Sequence, residues 1–142
     1  MNCAKPVTKE RLEKCRYMMI ELMNQLERIA ATRERLESPI NSLGVHISKH
    51  TYASDRLSDL LSQIVDFEGI LDGSIKKIID EIAELEDAIQ KLDDPCEREI
   101  LRLRYFEHKK WDDICQMLHF ETSKVHRIHG IALENIYKLS AS

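Results

Sequence analysis

Apolar residues recur along the first quarter of the chain at alternating steps of three and four. This spacing predicts a helix over about residues 8–37 with one continuous apolar face, as in coiled coils. Arg33 takes one of the apolar positions, and the pattern ends near Ser38-Pro39, because the residue before a proline disfavours the helical conformation. The apolar positions are Leu12, Cys15, Met19, Leu22, Leu26, Ile29 and Leu36.

A second apolar series predicts another helix, over about residues 55–92. It would be about 57 Å long at 1.5 Å per residue, and so long a helix needs a partner to cover its apolar face. The first helix, in an antiparallel hairpin, or a second copy of the chain can supply that partner. Glu68 at an apolar position, with Gly69 and Gly73, weakens the middle and marks a candidate bend. The apolar positions are Leu57, Leu61, Ile64, Leu71, Ile75, Ile78, Ile82, Leu85, Ile89 and Leu92.

Residues 38–54 show no sustained period and are predicted to form a linker. Ser54 can cap the second helix, with Asp55 in its first turn near the positive end of the helix dipole. Residues 1–94 would then form a coiled-coil arm. We expect this arm to be separable and to associate by itself, because an exposed apolar face is costly in water.

Asp94-Pro95 begins a second unit, residues 95–142, because proline is accepted in the first turn of a helix but not inside one. Its apolar periods predict three short helices, over about 95–107, from Trp111 to Leu118, and over about 122–139. A tight polar break precedes the last helix, as in a helix-turn-helix. The residues expected in its core are Ile100, Leu101, Leu103, Tyr105 or Phe106, Ile114, Cys115, Leu118, Val125, Ile128, Ala132, Leu133 and Ile136. Arg98, Arg102 and Arg104 are left outside.

Composition supports an all-α fold, a long helical hairpin or coiled-coil arm followed by this small unit. Only 4 Gly and 3 Pro interrupt a chain that is 43% apolar and 32% charged. Net charge is −4, but residues 95–142 carry 8 Lys and Arg against 7 Asp and Glu, and four of the six histidines. A polyanionic partner would therefore choose the C-terminal third.

Several functional classes are disfavoured by what the sequence lacks. No apolar run approaches the roughly 20 residues of a membrane span, and "MNCAKPVTKER" has no signal-peptide core, so a cytoplasmic protein without membrane contact is expected. The four cysteines form no CxxC pair, which argues against a zinc ribbon or a disulfide scaffold. Neither a phosphate-binding glycine loop nor a hydrolase motif occurs, so we expect no enzyme activity and no cofactor.

The stretch "CEREILRLRYFEHKKWDDICQMLHFETSKVHRIHGIALENI" resembles region 4 of bacterial sigma factors. The matching residues are Arg98-Glu99, Ile100-Leu101, Leu103-Arg104-Tyr105, Asp113-Ile114, Val125, Ile128 and Ala132-Leu133. The whole chain also resembles small phage-encoded sigma-like transcriptional regulators, which join this unit to an N-terminal coiled coil and carry a Trp where Trp111 stands. The resemblance implies a phage or prophage-derived, sequence-specific transcriptional regulator that binds double-stranded DNA. The coil would form homo-oligomers or contact RNA polymerase.

The family's base-reading positions correspond here to Thr122, Ser123, His126 and Arg127. Arg127 can donate two parallel hydrogen bonds to guanine, and short polar groups reach bases or phosphates. Phosphate contacts are expected from Arg104, Lys109, Lys110 and Lys124.

Three positions depart from the family pattern. His119 stands where a glycine is usual, so a positive φ is expected at a residue that tolerates it less well than glycine. Glu121 replaces the usual capping Ser, so either Thr122 or Glu121 caps the last helix. Position 123 is commonly acidic in sigma factors, and Ser123 therefore argues against recognition of the usual promoter −35 sequence.

Other readings of the same residues stay open. Cys115, His119, His126 and His129 have spacings that could hold zinc, although Cys115 fills an apolar position. Trp111 is expected in the core and turn rather than as a platform for bases.

Two rival functions are a coiled-coil adaptor without DNA binding and a DNA-packaging factor like a phage terminase small subunit. If the C-terminal unit does bind DNA, protonation of His119, His126 or His129 beside phosphates should tighten binding as pH falls from about 7.5 to 6.

Overall fold

The computed structural model describes residues 5–37 and 50–142, and every regular element in these ranges is helical. The all-α class is therefore confirmed. None of the helices in these ranges is both long and apolar enough to cross a membrane. The elements are α1 (Lys9–Glu37), α2 (His50–Gln90), α3 (Pro95–Leu101), a π-helical turn (Arg102–Phe106), α4 (Trp111–Leu118) and α5 (Thr122–Ala141).

The observed bounds agree with the predicted ones except at the start of α2. That helix begins at His50, so Ser54 lies inside it, and the prediction of Ser54 as the capping residue is wrong. The physical reason is that no glycine or proline stands between His50 and Ser54 to stop the helix from extending upstream. The rest of the predicted linker, residues 38–49, and the side chains of Leu36 and Leu57 lie outside the described part of the chain.

Side-chain caps fix the starts of two helices. The Thr8 hydroxyl oxygen accepts a hydrogen bond from the backbone N–H of Arg11 at 3.1 Å, which satisfies one free donor in the first turn of α1. The Asp94 carboxylate accepts one from the N–H of Cys96 at 2.8 Å, and Pro95 is the first residue of α3. The start predicted at Asp94-Pro95 is confirmed.

The chain divides into two compact units. Unit 1 comprises Met1–Met19 and Ile78–Ser142, and unit 2 comprises Ile20–Lys77. The boundary expected at residue 94 falls inside unit 1, because the first turns of α1 and the last turns of α2 share a core with the helices that follow. Whether residues 1–94 fold and associate by themselves stays a prediction.

The largest buried cluster of unit 1 draws on every helix of that unit except α4, whose Ile114 packs in a second cluster with Ile100, Leu103 and Val125. Around it, the Arg11 guanidinium donates to the Glu81 carboxylate at 2.6 Å, and also pairs with Glu84. The backbone N–H of Val7 donates to the Ser140 hydroxyl at 2.8 Å, which joins the start of the described chain to the end of α5. The largest buried cluster contains Val7, Leu12, Cys15, Leu85, Ile89, Leu92, Leu101, Tyr105, Ala132 and Ile136.

In unit 2, residues of α1 and α2 pack against each other through the predicted apolar faces. Ile29, Ile64 and Leu71 are buried there, with Leu22 and Ile75 partly buried beside them. Thus the pairing of the two helices within one chain, one of the two predicted possibilities, is present.

The two charged residues that interrupt the apolar series of unit 2 pair with each other. The Arg33 guanidinium forms a salt bridge with the Glu68 carboxylate. α2 continues as a helix through Gly69 and Gly73, where a bend remains a prediction.

Candidate functional site

All four residues predicted to read bases lie in the first two turns of α5 with exposed side chains. Thr122 is the first residue of the helix, and Ser123, His126 and Arg127 follow on its outer side. The opposite side of the helix is anchored in the core by the buried residues Val125, His129, Ala132 and Ile136. Packing therefore presents a short polar surface, which we call the α5 face and define as Thr122, Ser123, His126 and Arg127.

The connection between α4 and α5 is three residues long and sets the direction in which α5 leaves. His119 adopts the left-handed conformation with φ 58° and ψ 38°, as predicted from its place in the turn. The backbone N–H of Phe120 donates to the Cys115 carbonyl at 3.1 Å, which closes the end of α4.

Glu121 occupies the cap position of α5, but its side chain makes no capping hydrogen bond. The alternative in which Thr122 caps the helix is wrong, because Thr122 is already its first helical residue. Within the described residues, no side chain forms a capping hydrogen bond at this end of α5, so the positive end of the helix dipole adjoins the α5 face.

Trp111 links the α5 face to the rest of unit 1. Its ring centroid lies 4.6 Å from that of His126 and 4.7 Å from that of His129. The Arg104 guanidinium carbon stands 4.7 Å from the centroid of the Trp111 ring, within the range of a cation–π contact. Trp111 is partly buried beside the core, as predicted, and it holds His126 and Arg104 in place.

Two of the four residues predicted to contact phosphate are exposed, and two are partly buried. Lys110 and Lys124 are exposed, and the Lys124 ammonium lies 3.9 Å from the centroid of the Phe120 ring. Lys109 and Arg104 are partly buried, and Arg104 donates to the Lys109 carbonyl at 3.2 Å. Burial, followed by repulsion from Arg16, lowers the pKa of Arg104.

The prediction that Arg98, Arg102 and Arg104 are left free on the outside is wrong, because each is held within the chain. Arg102 donates to the Glu86 carboxylate at 2.9 Å. The Arg98 guanidinium donates to the Leu92 and Asp93 carbonyls at the end of α2. Their positions in the helical period did not show that acidic residues and open carbonyls of α2 would come within reach.

A buried polar pair, Tyr105 and His129, lies behind Trp111. The Tyr105 hydroxyl and the His129 Nε2 are 2.8 Å apart and hydrogen-bonded. Burial lowers the pKa of His129 to about 4, helped by the charges of Lys9, His126 and Arg104. His129 therefore stays neutral between pH 6 and 7.5, and the prediction that it gains a proton beside DNA is wrong. Its spacing of four from Val125 and three from Ala132 is the sequence signal for this buried position.

The residues considered for zinc do not assemble into a site. Within residues 5–37 and 50–142, no three His, Cys, Asp or Glu residues come together in a group that could hold a metal ion. His129 is bonded to Tyr105, and the Cys115 Sγ lies 3.9 Å from the Thr122 hydroxyl.

Sequence reasoning also missed Arg16 and His108. His108 has a φ of 60°, a left-handed conformation that no turn motif announced. Both ring nitrogens of His108 and the Nε of Arg16 are buried without a hydrogen-bond partner in the described part of the chain.

Comparison with known proteins and protein families identifies the family to which the chain belongs. Neither the curated proteins nor the solved structures contain a match to the chain. A family model described as "Protein of unknown function (DUF1492)" matches residues 51–136, which run from α2 through most of α5. The match covers more than half of the sequence, and the chain therefore belongs to the DUF1492 family.

Proposed function

We propose that this protein is a sequence-specific DNA-binding transcriptional regulator of phage or prophage origin that reads double-stranded DNA with the α5 face. The observation that carries the proposal is the pairing of an exposed polar surface with a rigid support. Thr122, Ser123, His126 and Arg127 stand on the first turns of a helix whose other side is fully anchored. Base edges in the major groove are read by short polar and forked cationic side chains on such helix ends.

The surroundings of the α5 face favour a polyanion. Lys110 and Lys124 are exposed beside it, and the uncapped start of α5 contributes backbone donors that suit phosphate oxygens. Helix α4, the three-residue turn and α5 follow one another as in the helix-turn-helix of sigma region 4, which the sequence resembles. In this role α4 supports α5 and α5 enters the groove.

Unit 2 supports a second part of the proposal, association with another chain. Among the side chains that the structure describes in this unit, Ile29, Ile64 and Leu71 form the buried core. Six of the described apolar side chains of this unit are between 47% and 65% exposed: Met23, Leu26, Leu61, Val65, Phe67 and Ile70. We propose that they serve a homo-oligomer, or a contact with RNA polymerase.

The test is selection of bound duplexes from a random pool, repeated with two variants. Arg127→Ala should relax the preference at one base pair by about 1–3 kcal/mol, because a forked donor to guanine is lost. Lys110→Ala should weaken binding to all sequences about equally, and it should reduce the dependence of log affinity on log salt by about one. Together the two variants separate base reading from phosphate contact.

Three other outcomes would favour a different docking surface or a different function. If neither variant differed from the wild type, the α5 face would not be the docking surface. If no duplex were enriched, an adaptor without DNA binding would replace the regulator. Ring-sized oligomers bound to DNA would favour a packaging factor like a terminase small subunit.

A further inference from the structure

The indole ring of Trp111 contacts side chains from two other elements. Its centroid lies 4.6 Å from that of His126 and 4.7 Å from that of His129, and both histidines belong to α5. The guanidinium carbon of Arg104, in the π-helical turn, lies 4.7 Å from the same centroid. These distances fall within the ranges of aromatic and cation–π contacts, so all three contacts stabilise one position of the indole.

The Trp111 ring is also held by the interior of unit 1. Trp111 is the first residue of α4, and it packs against the second buried cluster of the unit. Two of its partners are fixed as well. His129 is buried and hydrogen-bonded to the Tyr105 hydroxyl at 2.8 Å, and Arg104 donates to the Lys109 carbonyl at 3.2 Å. The indole therefore forms a rigid support for the remaining partner, His126.

His126 is the partner of Trp111 that belongs to the α5 face. It is exposed, whereas His129, three residues later on the same helix, is buried. Because Trp111 contacts both, the indole extends from the core to the edge of the α5 face. An exposed side chain that is free to change rotamer loses this freedom when it binds a ligand. The contact with Trp111 restricts His126 before any DNA binds.

The direction of the His126 ring decides which base atoms it can meet. A neutral imidazole carries one donor and one acceptor nitrogen, on different edges of the ring. Base pairs differ in the major groove in their pattern of donors and acceptors. The His126 and Trp111 planes are inclined by 49°, which sets one direction for the imidazole edges. A ring held in one direction discriminates between bases more sharply than a ring that turns freely.

We propose that Trp111 is a positioning residue for base reading, which sets the base preference of His126 by holding its imidazole at a fixed angle. The inference rests on the proposed function and adds to it a residue outside the α5 face. Trp111 acts through His126 and needs no contact with DNA for this role. Arg104 and His129 contribute by holding the indole.

The experiment compares the affinity of the full chain for a duplex enriched by selection with its affinity for duplexes changed at one base pair. His126→Gln should reduce the preference at one base pair by about tenfold, within the range of a direct base contact. Trp111→Leu removes the ring and should reduce the preference at the same base pair by a similar factor. The double variant should lose no more than His126→Gln alone, because the two changes remove one interaction. The preference that depends on Arg127 should stay unchanged.

The ratio of affinities separates a loss of positioning from a loss of folding. Partial unfolding lowers the affinity for every duplex by the same factor, so it leaves the ratio of two affinities unchanged. Leu118→Ala is the matched control, because Leu118 lies on the same helix as Trp111 and packs against the same buried cluster. It should lower stability and keep the base preference of the wild type.

Nuclear magnetic resonance tests the contact between Trp111 and His126 without DNA. The ring current of an indole shifts the resonances of protons that lie close to it. The ring protons of His126, identified by their absence in His126→Gln, should therefore be shifted relative to those of the exposed His119. The shift should disappear in Trp111→Leu. Ring protons of His126 that are unshifted in the wild type would overturn the inference.

If Trp111→Leu does not fold, Trp111→Phe takes its place. A phenyl ring is smaller than an indole and weakens the contact, so the preference at the same base pair should fall by about threefold.

The inference is overturned if the folded Trp111 variant keeps the wild-type ratio, or if His126→Gln changes no base preference. In either case a preference lost in Arg127→Ala would leave the proposed function standing. If the wild type enriches no duplex, both proposals are overturned together.

Discussion

Leu85→Ala should lower the free energy of unfolding by about 2–5 kcal/mol, the range for removing a large aliphatic side chain from a packed core. Leu85 is fully buried in α2 and belongs to the same cluster as Leu101 and Ile136. Urea unfolding followed by far-UV circular dichroism measures the change. Ile79→Ala is the control, because Ile79 lies on the same helix within unit 1 but is 59% exposed. Its effect should stay within about 0.5 kcal/mol.

The same variant tests where the unit around α5 begins. Trp111 is the chain's one tryptophan, and its fluorescence reports on the C-terminal helices. Since Leu85 shares a core with them, Leu85→Ala should shift the unfolding transition seen by Trp111 fluorescence to lower urea. A transition that kept its midpoint would mean that residues 95–142 fold independently of α2, against the packing in unit 1.

Lowering the pH from 7 to 4.5 should remove about 2–3 kcal/mol of stability through His129 alone. The pKa of His129 falls from 6.5 to about 4 on folding, because the ring is buried against Tyr105. Its neutral form therefore contributes stability that is present above about pH 6.5 and is lost progressively as the pH falls from 6.5 to about 4. Each pKa unit corresponds to about 1.4 kcal/mol between the two protonation states.

Carboxylates also titrate in this pH range. The prediction is therefore a difference between the wild type and a variant in how much stability each loses. His129→Gln keeps an acceptor for the Tyr105 hydroxyl but cannot titrate, and it should lose less stability than the wild type on going from pH 7 to 4.5. His119→Asn is the control, since His119 is exposed and asparagine tolerates its left-handed conformation, and it should follow the wild type. Urea unfolding at the two pH values gives the comparison. Equal losses in His129→Gln and the wild type would show that His129 is not buried as described.

The spacing of apolar residues along the sequence predicted most of the helices. Leu12, Leu85 and Ile136 stand at predicted apolar positions, and all three are buried. The spacing of apolar residues shows which side of a helix is apolar. It does not show which other helix packs against that side. For this reason the predicted arm and the unit after Asp94 appeared separate, although Leu12 and Leu85 lie in one core with Ile136.

The candidate site was predictable where it depended on helix register and not where it depended on tertiary contacts. The exposure of Ser123 and Arg127 follows from the buried positions of Val125 and Ile136 on the same helix. The partner of Arg102, by contrast, is Glu86, 16 residues earlier on another helix. Neither that contact nor the orphaned nitrogens of His108 leaves a local pattern in the sequence.

Whether the α5 face reads DNA sequence is tested most directly by the ratio of two affinities. The wild-type chain is titrated, at one salt concentration, with the duplex enriched by selection and with a scrambled duplex of the same length and composition. Specific DNA-binding proteins prefer their sites by about 10³-fold or more, and we predict a ratio of at least that size. Equal affinities for the two duplexes, or binding to neither, would contradict the account.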